Sequence, residues 1–205
     1  MSEYANSKVR AKVWVTPDQV EALRSACYTT GAEYLQQRNE AIVTAMYDTG
    51  LRVGELVRVD VEFLRNDNSE LYLPTEVQKD YPNEHSPPPV TLECSDDTTR
   101  LLSSYLTNRW KDTPALFPSR SSDRISEQGV RKMIHKIAEK AEIRPFRLDG
   151  SRGTPGDVTP HALRHGVAYR MMNEEEGNSL YDVRNRLRHR SIQTTERIYD
   201  HLLKV

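Results

Sequence analysis

The sequence predicts a mainly α-helical domain with a small antiparallel β-sheet, an α+β fold. Two observations carry this prediction. Helix-start signals recur along the chain, and each is followed by apolar residues spaced three or four apart. In the middle of the chain this period gives way to short β-like pieces separated by Asn, Asp and Pro. The 205 residues suit one domain, or one and a half, with enough chain to build a core.

The first three helices have recognisable ends. Thr16 and Pro17 stand in the order expected of an N-cap and a first helical residue. A second helix is predicted over residues 32–49, because Gly50 supplies the glycine that often follows a helix. A short third helix is predicted over residues 52–57.

The β-like pieces lie at residues 71–73, 75–78 and 90–92. Each is short and bounded by turn-forming residues, which include the proline-rich stretch 81–89. We therefore expect two or three antiparallel strands.

Helical spacing resumes beyond the strands. Five further helices are predicted to begin near Ser95, Ser126, Thr159, Leu180 and Ser191. Residues 144–157 are rich in Arg, Gly and Pro and are predicted to form a basic loop.

Composition argues against several classes of protein. Hydrophobic residues make up 37% of the chain and charged residues 29%, and no apolar run approaches the ~20 residues of a membrane span. The first residues lack the apolar stretch of a secretory signal. Cys27 and Cys94 form no C-x-x-C pair, so neither a disulfide scaffold nor a cysteine zinc finger is expected. We expect a soluble, cytoplasmic protein.

The net charge of −1 conceals an asymmetry. Residues 1–110 carry 11 Lys and Arg against 17 Asp and Glu, a balance of −6, whereas residues 111–205 carry 18 against 13, a balance of +5. Chance can produce this imbalance, and so can a surface for a polyanion. Arginine makes up 21 of the 29 basic residues, which suits bidentate phosphate contacts but is equally a habit of halophilic proteins.

Three segments hold most of the residues that can carry chemistry. They are T-G-L-R-V-G-E-L at residues 49–56, H-A-L-R-H at residues 161–165, and L-R-H-R-S at residues 187–191 followed by T-T-E-R-I-Y at residues 194–199. Each segment alone has an ordinary explanation. His161 and His165 have the spacing of some zinc ligands, but Ala162 stands where such sites carry glutamate and no third ligand is evident. A metal site is therefore not expected.

Taken together and in this order, the segments resemble the catalytic domain of the tyrosine recombinases, also called the phage integrase family. The resemblance covers residues 15–203, nearly the whole chain. It implies a tyrosine recombinase catalytic-domain fold over residues 15–205. Family members usually carry an N-terminal core-binding domain, but only about fourteen residues precede the catalytic part here, so we expect an N-terminal arm of residues 1–14 and no core-binding domain. The activity it implies is site-specific recombination or integration of double-stranded DNA.

The resemblance assigns six catalytic residues. They are Arg52, Lys79, His161, Arg164, His189 and Tyr199. By this assignment Tyr199 attacks a DNA phosphodiester and forms a 3′-phosphotyrosyl bond, which conserves the bond energy for rejoining. Lys79, the only lysine of the strand region, would protonate the leaving 5′-oxygen, and His189 would hydrogen-bond the phosphate.

The residue types suit this chemistry. A free phenol has a pKa of ~10, so a base or a cationic field must help Tyr199 to lose its proton, and His161 is the candidate for that exchange. The guanidiniums of Arg52 and Arg164 can clasp the oxygens of the attacked phosphate. The chemistry requires no metal, nucleotide or other cofactor.

Five further arginines are candidates for contact with DNA. They are Arg144, Arg147, Arg152, Arg188 and Arg190. The first three lie in the predicted basic loop, and the other two flank His189, where a solvated pair is an equally good interpretation. Arg188 also departs from the family pattern, in which a small residue usually precedes this histidine. We expect a basic groove on a nearly neutral protein.

Two classes of function stay open. The first is a recombinase or integrase, with a DNA-relaxing topoisomerase of the same chemistry as a near variant. The second is a non-enzymatic or regulatory DNA-binding protein that retains the recombinase fold; the presence of every expected catalytic residue type favours the enzyme. Six residues follow Tyr199, a short segment for the docking onto a neighbouring subunit that many relatives use, so self-association on DNA is an open question.

Overall fold

A computed structural model describes residues 12–78 and 86–202 of the chain. The described residues form α-helices at Pro17–Cys27 (α1), Glu33–Thr49 (α2), Val53–Leu56 (α3), Asp96–Asn108 (α4), Glu127–Lys140 (α5), Pro160–Asn173 (α6), Leu180–Leu187 (α7) and Ile192–Tyr199 (α8). They form strands at Val13–Trp14 (β1), Leu64–Arg65 (β2), Glu70–Leu73 (β3), Val90–Glu93 (β4) and Phe146–Arg147 (β5). The predicted mainly α fold with a small antiparallel sheet is confirmed.

The helices begin where short polar side chains cap them. A side-chain oxygen accepts a hydrogen bond from the backbone N–H three residues ahead at Ser95, Ser126, Thr159, Ser179 and Ser191. Helix α1 begins at Pro17 after Thr16, as predicted, and Gly50 ends α2 in the left-handed conformation.

The sheet differs from the prediction in two places: it contains β2, which was not predicted, and it lacks the strand predicted at residues 75–78. Its order is β2-β3-β4, and Leu71 of β3 pairs with Leu64 of β2 on one side and Leu92 of β4 on the other. The two-residue strand β2 is too short to show a period of two in the sequence. The predicted strand at residues 75–78 is wrong, because Thr75–Val77 forms a 3₁₀ turn after Pro74.

A second, two-stranded pairing ties the beginning of the described chain to the predicted basic loop. Val13 and Trp14 of β1 pair antiparallel with β5, and the indole of Trp14 stacks on Phe146 at 6.0 Å. Residues 1–11 of the predicted N-terminal arm lie outside the described residues. Residues 144–157 are therefore only partly a loop, since they contain β5 and a 3₁₀ turn.

Helix α2 forms the centre of the core. Its side chains are buried from Arg38 to Thr49, and it packs against α1, α4 and α6. Helix α6 in turn packs against α7, and α7 against α8. This packing brings the C-terminal end of α2 next to the last three helices, where the candidate site lies. None of the helices in residues 12–78 and 86–202 is long and apolar enough to cross a membrane.

Candidate active site

Arg52 is held at the start of α3 by the residues around it. Gly50 has φ of 65°, and a Cβ there would lie 2.6 Å from Leu187 Cδ2, so the backbone conformation and the close approach both require glycine. Arg52 is the N-cap of α3 and Glu55 is its third residue. The Glu55 carboxylate accepts hydrogen bonds from the Arg52 backbone N–H and from its Nη1, each at 2.8 Å. This pairing anchors the Arg52 guanidinium.

Arg164 lies on α6 with its side chain buried. Its Nη1 donates to the Gly50 carbonyl and its Nη2 to the Leu187 carbonyl, which ties the end of α2 to the end of α7. Burial, and then the charges of Arg52 and Arg188, lower the pKa of Arg164 to about 9. Arg164 therefore stays positively charged at neutral pH. The guanidinium of Arg52 lies close to it and is the second positive charge of the site.

Tyr199 is the last residue of α8, and its side chain is buried. Its hydroxyl lies 3.0 Å from Nδ1 of His165. The ring of His189 stacks on the Tyr199 ring, with centroids 5.8 Å apart and planes 9° from parallel. Nδ1 of His189 lies 2.9 Å from Oγ1 of Thr195, one turn before Tyr199 on α8.

Burial determines the protonation of these three groups. It raises the pKa of Tyr199 to about 12, against the charges of Arg164 and Arg52. Burial and nearby cationic groups lower the pKa of His165 to about 3 and the pKa of His189 to about 3. At neutral pH the phenol keeps its proton and both histidines are neutral, so a His165 that carries its proton on Nε2 accepts the hydrogen bond from Tyr199.

His161 lies on the solvent side of this cluster. It is exposed in the first turn of α6, and its ring centroid is 5.4 Å from that of His165. The Tyr199 hydroxyl lies within hydrogen-bond distance of His165, which is not among the six catalytic residues that the family resemblance assigns. Its signal in the sequence was the four-residue spacing to His161, which places the two rings on one face of α6. No cluster of three or more His, Cys, Asp or Glu suited to a metal ion occurs among the described residues.

A groove of about 800 Å³ opens beside His161 and Arg52. Its charged lining residues in the described part of the chain are Arg52, Arg58, Arg131, Glu55, Glu76 and Glu127. Arg131 and Glu127 pair with each other at 2.9 Å. The described part of this lining is thus mixed in charge. Lys79 lies outside the described residues; Gln78 and Ser86 on either side of it line this groove.

Arg188 and Arg190, the two candidates for DNA contact that flank His189, have different surroundings. The Arg190 side chain is exposed. The side chain of Arg188 is only 7% exposed, and its Nη2 lies 2.6 Å from Oε2 of Glu55. Because its guanidinium is buried against a carboxylate, a surface contact of Arg188 with the DNA backbone is not what the structure supports.

The arginines of the predicted basic loop have different partners. Arg147 pairs with Asp157 at 2.7 Å, and the guanidinium of Arg152 lies 3.3 Å over the ring of Phe146. Arg144 and Arg152 are exposed. Arg144 and Arg152 therefore keep charge at the surface, while the charge of Arg147 is largely balanced.

The chain belongs to the phage integrase family, whose model matches residues 13–204. This match confirms the resemblance to the tyrosine recombinases. The chain is 32% identical over 170 residues to the tyrosine recombinase XerC of Bifidobacterium longum (strain DJO10A), an alignment that covers 81% of this chain and 44% of that protein. The chain thus spans about half the length of the curated relatives it matches.

Solved structures of recombinases share the fold. The crystal structure of XerA recombinase matches with a TM-score of 0.68 at 24% identity, over 90% of this chain and 58% of that one. The integrase of the transposon Tn1549, in complex with transposon right-end DNA, matches with a TM-score of 0.71 at 18% identity, over 96% of this chain and 63% of that one. These likenesses establish the tyrosine recombinase catalytic-domain fold.

Proposed function

We propose that the chain acts as a site-specific DNA recombinase or integrase that cleaves and rejoins double-stranded DNA through a 3′-phosphotyrosyl intermediate. One observation carries the proposal. The hydroxyl of the buried Tyr199 lies 3.0 Å from Nδ1 of His165, and the guanidiniums of Arg164 and Arg52 lie close enough to oppose the rise in its pKa. A nucleophile, a proton acceptor and two phosphate clamps therefore share one place.

The proposed step exchanges one phosphoester bond for another. Oη of Tyr199 attacks the phosphorus, a bond forms between them, and the bond from phosphorus to the 5′-oxygen breaks. The phenol proton passes to His165, and the 5′-oxygen takes a proton from an acid, the role that the family resemblance gives to Lys79. Rejoining is the reverse step with the same atoms, so no external energy source is needed.

The two arginines would bind the non-bridging oxygens of the attacked phosphate. A guanidinium has five N–H donors, and the hydrogen bonds of Arg52 to Glu55 and of Arg164 to Gly50 and Leu187 engage only some of them. Each donor directed at the developing negative charge is worth about 3 kcal/mol of the barrier. The existing bonds hold the guanidiniums in place before DNA arrives, so little ordering is left for the reaction itself.

Double-stranded DNA is the proposed substrate. The Tn1549 integrase, which shares the fold, is described in complex with transposon DNA. In this chain the groove beside His161 and Arg52 would receive the scissile phosphate, and the exposed Arg144, Arg152 and Arg190 are proposed to contact the DNA backbone. Because backbone contacts release counterions, the affinity should fall steeply as salt rises.

The test begins with duplexes recovered from a random library by binding to the intact chain. A nick placed near the cleavage position in these duplexes traps a covalent intermediate, which a denaturing gel separates from free DNA. Wild type should form the adduct, the 5′-labelled strand should stay on the protein, and Tyr199→Phe should abolish it. His165→Gln should lower the rate by about 10²-fold or more, as expected for loss of a general base.

Tyr181→Phe is the matched control, since Tyr181 lies exposed on α7. It should form the adduct at the wild-type rate. An adduct with Tyr199→Phe would show that the assigned nucleophile is wrong. Specific binding without any adduct in the wild type would favour the non-enzymatic DNA-binding protein instead.

A further inference from the structure

Arg188 adopts a backbone conformation that arginine disfavours. It follows the last residue of α7 with φ of 52° and ψ of 50°, in the left-handed region where a Cβ costs free energy and glycine does not. Its N–H donates to the Arg184 carbonyl at the end of the helix. A non-glycine residue held in this region is a reason to ask what its side chain does.

The side chain is buried and makes contacts that glycine could not. Nη2 of Arg188 lies 2.6 Å from Oε2 of Glu55 and 3.2 Å from the Gly50 carbonyl. Its Nη1 lies 3.2 Å from the Thr49 carbonyl. The guanidinium therefore fastens the end of α7 to the segment from the end of α2 to the start of α3, which carries Arg52.

Arg188 is connected to Arg52 in two ways, through its side chain and through its backbone. Glu55 holds Arg188 with Oε2 and Nη1 of Arg52 with Oε1, so one carboxylate bridges the two guanidiniums. The backbone carbonyl of Arg188 also accepts from Nη2 of Arg52 at 3.4 Å. Where that carbonyl points depends on the left-handed backbone of Arg188.

The geometry points to Arg188 as a positioning residue for Arg52, acting through the shared carboxylate of Glu55 and through its own backbone carbonyl. This inference rests on the proposed function, in which Arg52 clasps the attacked phosphate. Arg188 touches neither the phosphate nor the nucleophile in this role. It limits where the Arg52 guanidinium can lie.

Loss of the Arg188 side chain should affect cleavage more than binding. Without it, Arg52 is the remaining ion-pair partner of Glu55 among the described residues, so the carboxylate that holds the Arg52 guanidinium is itself held less firmly. Misplacement of a reacting group by about 1 Å costs up to 10²-fold in rate, and we expect the cleavage rate constant to fall about 10-fold to 100-fold. The dissociation constant for the same duplex should change much less.

Loss of the Arg188 side chain should also change the pH dependence of the cleavage rate. Burial raises the pKa of Glu55, and the guanidiniums of Arg188, Arg52 and Arg164 outweigh it. Of these three guanidiniums, Arg188 lowers the pKa of Glu55 the most, so its removal should raise that pKa. As the solution is acidified, Glu55 should then become protonated, and the cleavage rate should begin to fall, at a higher pH than in the wild type.

Arg188→Gln is the first variant, because glutamine keeps amide donors without the charge. Arg188→Gly is the second, since glycine suits the left-handed backbone and gives a folded variant if glutamine does not. On a nicked duplex recovered by selection with the wild type, we would measure the dissociation constant and the single-turnover cleavage rate between about pH 5 and pH 8. A carbon-13 NMR titration of the Glu55 carboxyl without DNA reports the coupling to Arg188 directly.

Glu142→Gly is the matched control for the backbone. Glu142 is exposed with φ of 49°, so this variant also relieves a left-handed residue. Glu142 lies beyond the C-terminal end of α5, whose first residue, Glu127, lines the groove. This variant should cleave as the wild type does. A folded Arg188 variant with the wild-type cleavage rate and an unchanged Glu55 titration would overturn the inference. If the wild type forms no adduct while the Glu55 titration shifts in the variant, the proposed function is wrong, and Arg188 then has no role in cleavage.

Discussion

Replacing Glu55 with glutamine tests how much the ionised carboxylate of Glu55 contributes to the stability of the folded protein. The Glu55 side chain is 1% exposed and pairs with Arg52 and Arg188 at 2.8 Å and 2.6 Å. Burial alone would raise the pKa of its carboxyl, but Arg188, Arg52 and Arg164 lower it from 4.5 to about 2. At about 1.4 kcal/mol per pKa unit, this corresponds to about 3 kcal/mol in favour of the ionised form in the folded protein.

The sign of the pH dependence follows from that shift. The folded pKa lies below the unfolded one, so the contribution is fully present above about pH 4.5 and is lost as the pH falls toward about 2. Glu55→Gln should therefore lower the free energy of unfolding by about 3 kcal/mol at pH 7, since it removes the negative charge against which the Arg188 guanidinium is buried. The difference from wild type should shrink as the solution is acidified below about pH 4.5.

Urea unfolding at a series of pH values measures this difference. Glu142→Gln serves as the control, because its side chain is exposed and the change should cost less than about 0.5 kcal/mol. A Glu55→Gln difference below about 1 kcal/mol at pH 7, or one that stays constant down to about pH 3, would refute the reasoning.

Two further substitutions test the packing around the site. Gly50→Ala should lower the free energy of unfolding by about 2–5 kcal/mol, because the left-handed backbone and the approach of the new methyl to 2.6 Å from Leu187 both cost free energy. Gly31→Ala is the control: Gly31 has φ of 84° and nothing within 4 Å, so only the backbone cost of about 1–2 kcal/mol applies. Equal losses of stability in urea unfolding would contradict the close approach at Gly50. Thr195→Val removes the hydroxyl 2.9 Å from Nδ1 of His189 and should destabilise by about 1–3 kcal/mol and slow adduct formation. A variant as stable and as fast as wild type would show that this hydrogen bond does not orient the histidine.

Much of the helical framework could be predicted from the sequence because helix ends are local. Thr16 with Pro17, Ser126 and Thr159 supply caps within one turn of the backbone groups they satisfy, and Gly50 supplies a left-handed end to α2. Such features are complete within a few residues. They appear in the sequence wherever the helix later packs.

The strands were predicted less well for a physical reason. Pairing between Leu64 and Leu71, or between Trp14 and Phe146, is a contact between distant or very short segments. A two-residue strand shows no alternation that a sequence can reveal. At residues 75–78, β-like composition was overridden by a turn after Pro74.

The order and spacing of the three motifs were enough to indicate the family, and the resemblance then names Arg52, Arg164 and Tyr199 as candidate site residues. The partners of those residues were decided by the tertiary structure. That His165 meets the phenol, and that the buried Arg188 shares Glu55 with Arg52, depends on how α2, α6, α7 and α8 pack. The sequence shows that a charged residue is present but not whether it forms an ion pair inside the protein or a contact at the surface. That depends on which groups lie within hydrogen-bond distance of it, and the packing of helices far apart in the sequence determines those distances.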